Sequence, residues 1–423
     1  MKHGKNEHLL ARKAAATPRG VGVMAPFFAE RAEGSELWDI EGRRFIDFAG
    51  GIAVMNVGHG HPKIKAALMA QVERFTHTCY QVVPYESYIS LAEKLNQLTP
   101  GDHAKKTALF STGAEAIENA VKIARAHTKR SGVIAFGGAF HGRSMFAVAM
   151  TGKVAPYKLG FGPFPPEIYH APFPCHCASL AEVKKAMQHL FKADIEPARV
   201  AAIIFEPVQG EGGFNVIQAE AVQWLRALCD EHGIVLIADE VQTGFGRTGK
   251  LYAMAHFGVV PDIIVTAKSL AAGMPLSAVT GRAEIMDAPA PGGLGGTYAG
   301  NPMAVAAAHA VIDVMAEERL PERGARLGDK LKARLEAMRP KVPQIFDVRG
   351  LGAMVAVEFN QPGTDQPDAD FTKRVQAKAL ARNLILLSCG VNANVLRFLF
   401  PLTTSDKIFD EALDILESAL SEA

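Results

Sequence analysis

The chain carries almost no net charge. Forty-five lysines and arginines stand against forty-four aspartates and glutamates, leaving a formal charge of +1. That balance removes any global electrostatic argument for nucleic acid or an anionic membrane as partner. Anion binding must rest on a few locally placed arginines. No stretch approaches the length of an apolar membrane span. The basic N-terminus MKHGKNEHLLARKAAATPRG lacks the continuous apolar core of a secretory signal, and its lack of serine weighs against a transit peptide. A cytoplasmic protein is expected. Cysteine is scarce: the five, Cys79, Cys175, Cys177, Cys229 and Cys389, form no repeated framework. That pattern predicts reduced thiols in a reducing compartment. Cys175-His176-Cys177 does not match the usual zinc spacings and has no second Cys/His pair nearby, so it reads as a Pro-rich surface loop and no metal is expected. There is no internal repeat or low-complexity tract. There is no GxxxxGK[ST] pattern either, which argues against a nucleoside triphosphate.

What is present suits an ordinary globular enzyme, with 48% apolar and 21% charged residues in a chain of 423. That length fits one large domain and a smaller one. Leu37–Ile40 and Arg43–Phe48 flank Glu41-Gly42 and predict a hairpin. Behind Pro62, Ile64, Leu68, Val72 and Phe75 recur at helical spacing. Strands are predicted at Thr107–Phe110, Val133–Phe136, Ala202–Phe205, Val235–Ala238 and Ile263–Thr266. Several are near-continuous apolar runs, as expected of strands covered on both faces. A helix around Val222, Leu225 and Cys229 intervenes, so a mostly parallel sheet in an α/β domain is predicted. After about Arg323, a helix with Leu327, Leu331 and Leu335 leads to a strand at Met354–Phe359. A helix near Phe371–Ala381, the run Leu384–Leu387 and a final amphipathic helix complete a smaller α+β domain. The expected division is residues 1–57 contributing to the small domain, 58–323 forming the large one, and 324–423 completing the small one.

Polar residues at the strand ends carry the chemistry. Glu206 and Asp239 directly follow predicted strands, and Lys268 comes two residues after one. In open α/β sheets ligands bind beyond the carboxyl ends of the strands, so the three could share one crevice. A buried lysine favours its neutral amine, which attacks an aldehyde to form a Schiff base. The plain alternative is a lysine snorkelling to solvent. Asp239 can keep a pyridinium nitrogen protonated, or serve as a helix cap or structural ion-pair partner. Ser111-Thr112-Gly113-Ala114-Glu115 opens a helix, where small residues let a phosphate reach backbone amides; the same residues also make an ordinary cap. Phe140-His141-Gly142-Arg143 offers a ring to stack and a guanidinium for a carboxylate. Arg397 lies in an apolar run and needs a partner if buried, whether a structural acid or a substrate carboxylate. Glu211 stands in a Gly-rich turn, and Gly295-Gly296-Thr297-Tyr298 offers a hydroxyl and amides in a loop.

Together these residues resemble the class III (subgroup II) aminotransferases of the fold-type I pyridoxal-phosphate (PLP) superfamily, over nearly the whole chain. The resemblance rests on Pro18–Gly22, Phe48–Val54, Ala139–Arg143, Glu206–Gly213, Ile237–Gln242, Ala267–Ser269, Gly295–Pro302 and Asp347–Gly352, taken as an ordered set. It implies a mostly parallel central sheet flanked by helices, with a smaller α+β domain. It implies that Lys268 holds PLP as a Schiff base and shuttles a proton, that Asp239 pairs with the pyridine nitrogen, and that Gln242 contacts the ring hydroxyl. Phe140 would stack on the ring with His141 beside it. Gly113 and Ala114 would give amides to the phosphate, and Glu206 would belong to the polar shell. Thr297 would reach the phosphate of a neighbouring subunit, which implies a homodimer or a dimer of dimers with shared sites. The family's phosphate loop reads Thr-Gly-Ser-Glu-Ala, whereas this chain has Thr112-Gly113-Ala114-Glu115-Ala116. The missing hydroxyl predicts a net loss of about 0.5–1.5 kcal/mol.

Within that family the resemblance is nearest to members acting on 4-aminobutanoate. It implies a ping-pong ω-aminotransferase giving succinate semialdehyde and, from 2-oxoglutarate, L-glutamate. Arg143 would grip the distal carboxylate, and Ile52 would pack on the methylenes. Arg397 would take the extra carboxylate of 2-oxoglutarate, and Glu211 would occupy Arg397 when that carboxylate is absent. One methylene is worth only about 1–3 kcal/mol, so 5-aminovalerate is an alternative donor. Ornithine, acetylornithine and β-alanine aminotransferases share the scaffold, as does a PLP aminomutase or isomerase. A non-catalytic PLP-fold module is the remaining alternative, against which Asp239 and Lys268 both argue.

Overall fold

The computed structural model describes residues 4–176 and 178–423. A seven-stranded sheet lies at its centre, in the order Lys105–Phe110, Ser277–Arg282, Ile263–Thr266, Val235–Asp239, Val200–Phe205, Gly132–Phe136, Ile168–Ala171. The last five of these pair in parallel with one another. Only Ser277–Arg282 runs against both its neighbours, so the sheet is mostly parallel as expected. The apolar runs make this arrangement stable. Val200–Phe205 and Ile263–Thr266 are buried at every position, as a strand packed on both faces requires. The helix Gly113–Thr128 covers one face with Ile117, Ala120, Val121 and Ala124, all fully buried. Ala219–His232 buries Val222, Leu225 and Cys229 in the apolar cluster that also holds Ile203, Phe205 and Leu236.

Smaller sheets form from both ends of the chain. The predicted hairpin is Glu36–Asp39 paired antiparallel with Arg44–Asp47. Its second strand pairs in parallel with Leu384–Ile385, so the N-terminal segment and the C-terminal region share one sheet. Ile345–Leu351, Met354–Phe359, Val395–Phe398 and Leu387–Cys389 form another, which carries Arg397. The helices Leu320–Met338, Ala369–Ala381 and Asp406–Ser421 pack their apolar faces into the same large core as Phe359, Leu396 and Phe398.

Cys175 is disulfide-bonded, which corrects the expectation that every thiol is reduced. Cys79, Cys229 and Cys389 are free, and Cys177 lies outside the described residues. Among the described residues no metal-binding cluster forms. No helix there is long and apolar enough to cross a membrane.

Candidate active site

The strand order sets Glu206, Asp239 and Lys268 at the carboxyl ends of three adjacent parallel strands. A cavity of about 350 Å³ opens there. Glu206, Glu211, Asp239, Gln242 and Lys268 line it, together with Gly113, Ala114, Phe140 and His141. Lys268 is half-buried in the cavity wall, and desolvation holds its pKa below the usual lysine range against the opposing pull of the Glu211 carboxylate. Its backbone adopts φ +46°, a left-handed conformation that a side-chain-bearing residue keeps only where its surroundings enforce it.

On the neighbouring strand, Asp239 places Oδ2 2.7 Å from His141 Nδ1 and accepts the Val241 amide on Oδ1 at 3.0 Å. Burial alone would lower the His141 pKa, but the Asp239 hydrogen bond and charge outweigh it and raise the pKa. Glu206 accepts the amides of Phe140 and Gly210, both at 3.0 Å. Its pKa is pushed up to about 7, first by burial and also by the charge of Asp239, despite the opposing pull of His141. Glu206 thereby ties the Phe140–Arg143 loop to the Gly-rich turn bearing Glu211. Gly142 makes the loop's closest approach at φ +133°, where a Cβ would stand 2.5 Å from the Cβ of Ala114.

The start of the Gly113–Thr128 helix also lines the cavity. Thr112 caps it by accepting the Glu115 amide, and the Glu115 side chain accepts the Ser111 amide. The first amides of a helix have no intrahelical partner, so those of Gly113 and Ala114 suit an anion.

The remaining predicted residues lie outside the cavity lining. Arg397, buried on its strand, makes a two-pronged pair with Glu211, Nη1–Oε1 at 2.5 Å and Nη2–Oε2 at 3.2 Å. The attraction overcomes burial on both sides, lowering the Glu211 pKa and raising that of Arg397. Arg143 is exposed, and its guanidinium carbon sits 4.9 Å from the centre of the Tyr157 ring. Ile52 is 42% exposed at φ +58°, in a turn whose Ala49 and Gly50 amides are held by Asp47. Val54, from the same turn, does line the cavity. Thr297 is exposed on a loop apart from it.

Sequence reasoning missed Val54, Val241, Met274 and Tyr157. Val241 lies between Asp239 and Gln242, and the apolar residue inside Asp-Glu-Val-Gln was its available signal. Tyr157 had none.

The chain matches the family description "Aminotransferase class-III" over residues 16–420. It belongs to the class-III aminotransferases. It is 54% identical to the 4-aminobutyrate aminotransferase GabT of Escherichia coli strain K12, across 99% of both chains. It is also 54% identical to the 5-aminovalerate aminotransferase DavT of Pseudomonas putida, again across 99% of both. Among solved structures, a Bacillus anthracis aminotransferase superposes with TM-score 0.91 at 28% identity, covering all of both chains. The ornithine aminotransferase of Toxoplasma gondii, whose active site holds PLP at partial occupancy, superposes at 0.87 with 31% identity, covering 100% of this chain and 96% of that one.

Class-III aminotransferases use pyridoxal 5'-phosphate, and the cavity fits it. Gln242 Oε1 and His141 Nε2 are buried without a hydrogen-bond partner. Unpaired buried polar groups are unfavourable, and a polar ring in the cavity offers them partners. A carboxylate, a helix N-terminus and a desolvated lysine lining one cavity match the ring nitrogen, phosphate and aldehyde of the cofactor.

Proposed function

We propose that this aminotransferase takes its amino group from 4-aminobutanoate and passes it to 2-oxoglutarate, giving succinate semialdehyde and L-glutamate in two half-reactions. The Glu211–Arg397 pair carries the reading. It supplies a buried cation with an internal anion that can be exchanged for a substrate carboxylate. A donor with one carboxylate would be held by Arg143 and leave the pair closed. 2-Oxoglutarate brings a second carboxylate, which would replace Glu211 on Arg397. Ile52 would pack against the methylenes between them.

Bound in this cavity, PLP supplies an electron sink for negative charge at the amine-bearing carbon of the substrate. The other roles belong to the chain. Lys268 would hold the cofactor covalently and, once displaced by substrate, would move the proton at that carbon through Nζ. Burial favours the neutral amine this requires. Asp239 would keep the ring nitrogen protonated, with His141 behind it. Gln242 would contact the ring hydroxyl, Phe140 would stack on the ring, Glu206 would close the polar shell, and the amides of Gly113 and Ala114 would take the phosphate. Thr297 would serve the phosphate of a neighbouring subunit in a homodimer or dimer of dimers. The proposed domain division is 1–57 with 324–423 around 58–323, and the proposed location is the cytoplasm.

Relatives named for 4-aminobutyrate and for 5-aminovalerate are equally similar, which supports 5-aminovalerate as an alternative donor. The deciding experiment is single-turnover spectroscopy of the PLP-loaded enzyme, mixed separately with each donor. Loss of the cofactor's visible band with 4-aminobutanoate, restored by 2-oxoglutarate, is the expected result. The ratio of rates names the preferred donor. A band that persists with both donors overturns the ω-amino-acid reading.

A further inference from the structure

The connection between the helix Met145–Met150 and the strand Ile168–Ala171 is largely exposed, with Val154, Leu159 and Phe161 at 60%, 61% and 61%. Tyr157 is half-buried within it. Its hydroxyl donates to Glu211 Oε2 at 3.3 Å. Its ring lies 4.9 Å from the Phe140 ring and receives the Arg143 guanidinium, also at 4.9 Å. One side chain therefore touches both groups assigned to carboxylate recognition, Arg143 through its ring and the acid on Arg397 through its hydroxyl. The loop is anchored beside that acid, because Lys153 Nζ donates to the Gly390 carbonyl and the Gly390 amide donates to the Glu211 carbonyl.

The two Glu211 oxygens are held unequally. Oε1 has the short contact to Arg397, whereas Oε2 has the longer one at 3.2 Å and shares its lone pairs with Tyr157. We propose that Tyr157 is a positioning residue that holds Glu211 on Arg397, and so sets how the site divides its affinity between one-carboxylate and two-carboxylate substrates. This rests on the exchange of Glu211 for a substrate carboxylate described above. Burial and the Glu211 charge push the phenol pKa up to about 12, so the hydroxyl remains a donor throughout the working pH range. Removing the hydroxyl leaves Oε2 with its long bond alone, and release of Glu211 becomes easier. Removing the ring as well takes away the surface under Arg143, which acts in both half-reactions.

The test compares PLP-loaded wild type, Tyr157→Phe, Tyr157→Leu and Glu211→Gln by calorimetric titration with two unreactive probes. Glutarate carries two carboxylates and butanoate one, and neither has an amine or a ketone. Tyr157→Phe is expected to tighten glutarate by about three- to tenfold and leave butanoate unmoved, the range that one hydrogen bond of ordinary net strength shifts. In turnover, the KM for 2-oxoglutarate falls while kcat holds. Tyr157→Leu is expected to weaken butanoate, which Tyr157→Phe does not. If Glu211→Gln shifts the glutarate-to-butanoate ratio and Tyr157→Phe does not, the role of Tyr157 is overturned while the exchange stands. If neither variant shifts the ratio, the exchange itself fails and the role of Tyr157 falls with it.

Discussion

His141 Nδ1 lies 2.7 Å from Asp239 Oδ2, and both side chains are buried beside the cavity. The contact fixes which way the carboxylate faces and leaves His141 Nε2 without a partner. Asp239 is therefore a preorganised charge at the place where the cofactor ring would develop its own. Asp239→Asn keeps the shape and removes the charge. Loss of one such preorganised group costs roughly 10²–10³ in kcat. Stopped-flow measurement of the donor half-reaction should show that drop; a variant within threefold of wild type would remove Asp239 from the ring nitrogen.

The same pair makes a pH prediction. The folded-state pKa of His141 is raised, so its contribution to stability is complete below the unfolded value near 6.5 and is lost as pH rises through the folded pKa. Thermal unfolding of cofactor-free wild type and His141→Gln should differ most below pH 6.5. The gap should narrow above it. A gap independent of pH would mean that His141 stabilises by packing alone.

Lys268 behaves in the opposite sense. Its folded pKa is depressed by burial, so the unfolded chain binds the proton more readily and stability rises with pH up to the ordinary lysine value of about 10.5. At neutral pH the desolvated amine is a burden that Lys268→Met relieves. Without cofactor, Lys268→Met should melt above wild type at pH 7 and converge with it near pH 10–11. With PLP added, the variant should show no covalent visible band and no turnover. A lower melting temperature at pH 7 would contradict the desolvated amine.

Much of this site was legible because its residues follow strong local signals. Asp239 and Lys268 come at or just beyond buried apolar strands, and near-continuous apolar runs such as Val235–Ala238 announce a covered parallel sheet. The strand Ser277–Arg282 was not anticipated. Its residues Ser-Ala-Val-Thr-Gly-Arg are small and mixed in polarity, and its place is set by pairing with the strands on either side. Tyr157 was invisible for a different reason. It is one aromatic in an exposed, aperiodic loop, and its partner Glu211 lies 54 positions away. The Glu211–Arg397 pair spans 186 positions, and only the family resemblance joined the two residues in advance. The disulfide at Cys175 ran against the reading from cysteine count, which describes the whole chain and does not resolve a single local bond.

Arg397 is buried with Glu211 as its acid. Breaking a buried pair by removing one partner costs about 3–5 kcal/mol, because the other charge is left unpaired. Arg397→Ala should therefore lower the melting temperature clearly, and it should raise the KM for 2-oxoglutarate more than that for 4-aminobutanoate. Arg143 is exposed and lies over Tyr157, so Arg143→Ala should raise both KM values with little change in stability. Equal effects of the two variants on the two substrates would argue against separate carboxylate sites.

The phosphate end of the cavity yields a gain-of-function prediction. Ala114 sits at the start of the Gly113–Thr128 helix, in the position where the family's loop carries a serine. Ala114→Ser supplies a hydroxyl beside amides already suited to an anion. A net hydrogen bond is worth about 0.5–1.5 kcal/mol, so the dissociation constant for PLP should fall by roughly two- to tenfold. Gly142→Ala is the opposing control. Its new Cβ would stand 2.5 Å from the Ala114 Cβ, and its backbone at φ +133° resists any side chain. That variant should displace both the helix start and the Phe140–His141 loop and weaken PLP binding. Spectrophotometric titration of the two cofactor-free variants with PLP measures both effects. Unchanged affinity in Ala114→Ser would mean that the phosphate is satisfied by backbone amides alone.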